Sequence, residues 1–110
     1  MITVKVNRND NQKIVSFSMS GHAEAGPYGY DLVCAGASAV SLGAVNAIHS
    51  ILHVELDVDM KEDGGYLFCS VPNGLDSALA EKVELLLEGM LASLASIATE
   101  YHEHMTIIES

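Results

Sequence analysis

The sequence predicts an α+β domain: a single two-layer α/β sandwich of order ββαββαβ, with two helices packed on one face of a five-stranded sheet. Three observations predict it. Short runs alternate apolar and polar residues, as half-buried strands do. Two long stretches instead carry apolar residues at helical spacing. The chain also reads as two similar halves, each strand–turn–strand–helix, followed by one last strand.

Taken in order, Thr3 to Asn7 and Lys13 to Met19 read as strands joined by the polar turn Arg8-Asn9-Asp10-Asn11-Gln12. A loop leads to a helix from about Val33 to His53. Glu55 to Lys61 and Tyr66 to Val71 are the next strands, joined by Glu62-Asp63-Gly64-Gly65. Pro72-Asn73-Gly74 then opens a helix from about Leu75 to Glu100, whose Leu79, Val83, Leu86, Leu87, Met90, Leu91, Leu94 and Ile97 form an apolar stripe. Met105 to Glu109 closes the chain as a strand. The first helix is rich in Ala and Gly and is expected to be buried, lying close to the sheet.

The 110 residues suit one domain over 1–110, large enough for a single core. Without tryptophan, that core rests on Leu, Ile, Val, Ala and Met. A formal charge of −10 argues against direct nucleic-acid binding, which needs a basic footprint on phosphates, and suits a basic protein or peptide partner. Two cysteines make no disulfide framework, and Met1 to Val6 alternates like a strand rather than a signal peptide. Both point to a reducing, cytoplasmic setting. Leu32 to Val54 has the length of a membrane span, but Ser38, Ser41, Asn46, His49, Ser50 and His53 interrupt it. No membrane association is expected.

His22 and Cys34 are the candidate catalytic pair. The expected helix start places the Cys34 thiol in a first turn, beside unpaired backbone N–H groups and the positive end of the dipole, which favour thiolate. His22, delivered from the end of the preceding strand, is placed to take the thiol proton. Backbone N–H groups of Cys34 and Ala35 would then hold an oxyanion. Between the pair, Ala23 to Tyr30 contains Gly26, Pro27 and Gly29, and is expected to be a lid that brings Tyr28 or Tyr30 onto a bound peptide. Asp31 either caps the helix or orients His22. Ser38, one turn beyond Cys34 on the same face, either lines the site or bonds backbone.

Other conspicuous residues read as structural. Cys69 belongs to the alternate set Leu67, Cys69, Val71 and should face the core. His49 and His53 have helical zinc spacing but no third ligand, so no metal or other cofactor is expected. His102 and His104 suit a helix C-terminus. Asp57 and Asp59 form a solvated strand face, with an acidic wall for a basic substrate as the alternative. Two further classes stay open: a non-catalytic protein-binding module in which the pair merely packs, and a thiol redox switch, against which stands the absence of Cys-x-x-Cys.

The stretches Gly21-His22-Ala23, Asp31-Leu32-Val33-Cys34-Ala35, Ser38-Ala39 and Leu42-Gly43-Ala44-Val45-Asn46-Ala47-Ile48 resemble the ribosomal-processing cysteine protease family, Prp. The resemblance implies a His/Cys pair at His22 and Cys34, with Gly21, Asp31 and Ser38 at supporting positions. It further implies a cytoplasmic, homodimeric bacterial endopeptidase. Its substrate would be the N-terminal extension of a large-subunit ribosomal protein, removed in support of ribosome assembly.

Overall fold

Alternation along the strands sorts one sheet face into the core and leaves the other mainly polar. The computed structural model describes residues 1–21, 29–61 and 65–110, with side chains described from residue 32 onward in the second stretch. Its elements are β1 (Ile2–Arg8), β2 (Ile14–Ser20), α1 (Gly29–Leu52), β3 (Asp57–Met60), β4 (Tyr66–Ser70), α2 (Ser77–Glu100) and β5 (Met105–Glu109). The strands form one sheet of order β3-β4-β2-β1-β5. β1 runs antiparallel to β2 and parallel to β5; β4 runs antiparallel to both β2 and β3.

Ile2, Val4 and Val6 of β1, Phe17 of β2, Leu67 and Cys69 of β4 and Met105 of β5 are buried beneath the helices. The opposite face carries Lys5, Asn7, Ser18, Ser20, Ser70, Asp57 and Asp59 beside Tyr66, Phe68 and Ile108, and the helices cover the other side only. The register shifts near Asn7: Asn7 pairs with Ser16 and Arg8 with Ile14, so Val15 is left over as a bulge. That extra residue turns Ile14 back into the core and leaves Val15 exposed.

α2 starts where its chemistry dictates. Asp76 is its N-cap and accepts the Leu79 N–H at 2.8 Å. Val83, Leu87, Met90, Leu91 and Leu94 make its buried stripe. α1 buries Val33, Ala37, Ser41 and Ile48, and the Ser41 hydroxyl is satisfied by donating to the Ala37 carbonyl at 2.8 Å.

Three expectations change. α1 is long and apolar enough by length and composition to cross a membrane, yet it is only one-sidedly buried here: Leu32, Ala35, Ala39 and Gly43 are exposed. Gly36 serves the neighbouring helix rather than the sheet, since a Cβ there would stand 3.5 Å from Ile97 Cδ1 of α2. β3 is shorter than the expected Glu55 to Lys61, because buried Val54 and Leu56 enter the core ahead of the ladder. Finally, His53 is no longer helical. Its N–H donates to the His49 carbonyl with a left-handed φ of 57°, the backbone of a helix stop, so the two imidazoles do not share a helix face.

One ion-pair group fastens the far end of the sheet. Arg8 donates to both carboxylate oxygens of Glu88 (2.5 and 3.1 Å), to Glu109 (3.0 Å) and to the Gln12 carbonyl (2.9 Å). It thereby ties β1, α2 and β5 together.

Candidate active site

Cys34 is half-buried on α1 and opens into a cavity of about 100 Å³. The cavity is walled by Ile2, Met19, Leu42 and Leu67, with Gly21, Ser38, Met60, Gly65 and Tyr66 also lining it. Cys34, Ser38 and Leu42 are spaced four apart, so one side of α1 supplies all three. β2 and β4 deliver the opposite wall, with the Gly21 N–H donating to the Gly65 carbonyl at 3.0 Å just past their paired ends. Three of the expected positions, Gly21, Cys34 and Ser38, are thus brought together. The arrangement offers a thiol at the mouth of a mainly apolar hollow, with room for about three waters or one aliphatic side chain.

The other thiol is excluded from such chemistry. Cys69 is 1 % exposed, and burial pushes its pKa up to about 11. It pairs in register with Phe17 and faces the core, as its alternation in sequence indicated.

The helix start differs from the expectation. Gly29 and Tyr30, read as part of the loop, are already helical, so Cys34 sits in the second turn rather than the first. Asp31 accordingly lies inside the first turn and is not in the N-cap position. A helical N–H points at the carbonyl four residues back, so those of Cys34 and Ala35 belong to the helical ladder in this conformation. An oxyanion site from these two groups is therefore not preformed. The expected roles of His22 and Tyr28, and the lid over Ala23 to Tyr30 up to residue 28, lie outside the described residues.

Sequence reasoning missed the apolar walls. Leu42 was detectable, being two helical steps of four from Cys34. Met60 was not, because its approach to α1 depends on the tertiary placement of β3.

A thiol on a helix beside an apolar hollow, on an α+β sandwich of this order, suits a cysteine hydrolase, whose nucleophile needs room for a substrate side chain beside it. The family model Cysteine protease Prp matches residues 1–106. The chain belongs to the cysteine protease Prp family. The ribosomal processing cysteine protease Prp of Bacillus subtilis is 41% identical over 107 residues, covering 97% of this chain and 96% of the relative. That of Staphylococcus aureus is 42% identical over 108 residues, covering 97% of each. In three dimensions the chain is similar to the S. aureus ribosomal processing protease Prp crystallised in complex with a substrate peptide, with a TM-score of 0.87, 37% identity and full coverage of both chains. A second crystal structure of that enzyme, in complex with a covalently linked product peptide, matches equally well, with a TM-score of 0.87.

Proposed function

We propose that this cysteine protease removes a short N-terminal extension from a large-subunit ribosomal protein, with Cys34 as nucleophile and His22 as general base. The observation that carries this reading is the placement of Cys34 at a cavity shared with Gly21, the residue immediately before His22. His22 takes the thiol proton, and the thiolate attacks the scissile carbonyl carbon to form a tetrahedral adduct. As the adduct collapses to a thioester, His22 returns the proton to the departing amine. Water, deprotonated by His22, then releases the acid and restores the thiol.

The adduct's oxyanion needs donors that the closed helix lacks. We infer that peptide binding opens the first turn of α1, freeing the N–H groups of Cys34 and Ala35. Ser38 supports the thiol from the same helix side, Asp31 orients His22 in the opened form, and Tyr28 and Tyr30 contact the peptide. A substrate of basic character is favoured by the chain's charge of −10. The reading includes action in the cytoplasm as a homodimer, and light scattering on the purified protein tests the dimer.

Incubation with the precursor ribosomal protein, followed by intact mass measurement, tests the activity. The expected result is loss of one N-terminal segment with wild-type protein and none with Cys34→Ala. An unprocessed precursor in both reactions overturns the proposal.

A further inference from the structure

β2 and β4 separate at the end of the sheet remote from Cys34. Their register runs from Ser20 with Tyr66 to Ser16 with Ser70, and the Val71 N–H still donates to the Val15 carbonyl at 2.9 Å. Pro72 has no N–H with which to continue, so the ladder stops there. Between the separated chains and the first turns of α2 lies a cavity of about 390 Å³, within the range of small-ligand sites. Ile14 on its wall and Gly21 at the Cys34 cavity lie on the same strand path, about 23 Å apart in extended chain.

This cavity has two kinds of wall. Val15, Val71 and Pro72 supply an apolar side, and the bulge leaves the Val15 side chain exposed. α2 supplies the other: Ser77, Glu81 and Glu84 follow at spacings of four and three, so one side of the helix presents both carboxylates. The Glu84 side chain is 13% exposed, and its Oε1 accepts the Ile14 N–H at 2.8 Å. Its Oε2 has Arg8 only at 4.0 Å, because that guanidinium is drawn closer to Glu88 and Glu109. Three carboxylates thus share one cation, and Glu81 adds a further negative charge. Lys13 is the single positive group on the cavity wall among the described residues. The hollow combines apolar contact with a surplus of negative charge.

We propose that this hollow is a second recognition site, separate from the Cys34 cavity, which receives an arginine or lysine side chain from the mature portion of the substrate protein. The aliphatic stem of such a side chain lies against Val15, Val71 and Pro72, while its cationic head meets Glu81 and Glu84. A neutral or acidic group fits only one of the two walls. The occupant comes from the mature side because the removed extension is short and is held at Cys34, whereas about seven extended residues are needed to span the two hollows. The site thereby adds selection for a basic protein to a thiol cavity that is itself mainly apolar. The inference deepens the proteolytic reading and rests on it.

Two variants alter the hollow far from the thiol. Glu81→Lys reverses a charge on its rim, and Ala80→Phe fills it from an exposed helix position without changing charge. Each is assayed on the precursor protein and on a synthetic peptide with about four residues on either side of the cut, too short to span the two hollows. The expected result is a fall of about tenfold in kcat/KM on the precursor, carried by KM, with the short peptide cleaved as by wild type. Unchanged kinetics on the precursor in either folded variant overturns the site, as does an equal loss on both substrates. The Cys34→Ala protein, titrated with Nα-acetyl-arginine amide and followed by amide chemical shifts, tests the hollow without turnover. Shifts at Val15, Val71 and Glu81 are expected with this probe and not with its uncharged citrulline counterpart. Equal shifts with both, or none with either, overturn the cationic site. Wild-type protein that cleaves neither substrate overturns the proteolytic reading, and the arginine titration then decides the hollow by itself.

Discussion

Gly21 and Met1 cross so closely that a Cβ on Gly21 would overlap the Met1 carbonyl oxygen. Gly21 also holds a φ of +103°, which L side chains rarely adopt. Two independent constraints thus require glycine at the end of β2. Both act at the rim of the Cys34 cavity and one residue before His22.

Gly21→Ala should therefore be costly in stability and in turnover. Overpacking and a left-handed alanine each cost about 1–3 kcal/mol where the backbone does not relax. At this size each kcal/mol lowers the melting temperature by about 4–8 °C. Thermal unfolding followed by circular dichroism should show a drop of about 10 °C or more. Gly74→Ala is the control: its φ of +85° is also left-handed, but nothing lies within 4 Å of the added methyl, so it should cost less.

The two thiols should separate cleanly. Cys34→Ala should fold normally, since half-buried Cys34 borders a hollow, and should lose peptide cleavage entirely. Cys69→Ala should keep activity and lose about 1–2 kcal/mol, having emptied a packed position in the core. In native wild-type protein, iodoacetamide should label Cys34 and spare Cys69, which peptide mapping reads directly. Labelling of Cys69 before Cys34 would reverse the assignment.

How far this was readable in sequence varied with the physics of each element. α2 was readable from its apolar stripe and the turn Pro72-Asn73-Gly74 before it, although the cap at Asp76 starts it at Ser77, two residues after the expected Leu75. The bulge at Val15 was not, because Ile14 and Val15 are both apolar and alternation cannot choose between them. Gly29 and Tyr30 follow a glycine–proline stretch that signals a loop, yet they extend α1, so local propensity yields to tertiary context. The same misreading places Cys34 in the first turn, where the structure has it in the second. For the site, the helical spacing of Cys34, Ser38 and Leu42 was visible; the facing wall of Met60 depends on which strand lies beneath α1, which no local pattern encodes.

Glu84 and Glu88 should give opposite pH dependences. Hydrogen bonds from Arg8, then from Glu84, hold the Glu88 carboxyl down at about 2. Glu84 is raised, first by burial and then by its hydrogen bond with Glu88, while its Oε1 accepts the Ile14 N–H at 2.8 Å. A lowered folded pKa adds stability above the unfolded value of about 4.3, and that stability is lost as pH falls toward 2. A raised one adds stability below about 4.3, lost as pH rises through the folded value. Relative to wild type, Glu88→Gln should therefore be weakened near pH 7 and recover toward pH 2. Glu84→Gln, which can still accept from Ile14, should gain relative to wild type between about pH 4 and 7. Because Glu88 is 38% exposed, solvent screens its pair and the effect should stay below about 1 kcal/mol. Urea midpoints across this range check both signs.

The final expectation concerns the first turn of α1. Helix from Gly29 onward engages the N–H groups of Cys34 and Ala35, and a protease needs such donors free when charge develops on the carbonyl oxygen. Opening that turn costs little where it stops short of the core: a helix end has few bonds to lose and exposed Leu32 gives up little packing, while buried Val33 keeps its side chain anchored. Hydrogen exchange on the Cys34→Ala protein, with and without a peptide spanning the cleavage site, measures it by residue. Bound peptide should speed exchange at Leu32 and Val33, whose helical bonds open. From Ser41 to Leu52, where buried Ser41 and Ile48 anchor the helix, exchange should stay as it was. Full protection from Leu32 to Ala35 in both samples would place the oxyanion donors on another element, and the first turn would then be rigid support for the thiol.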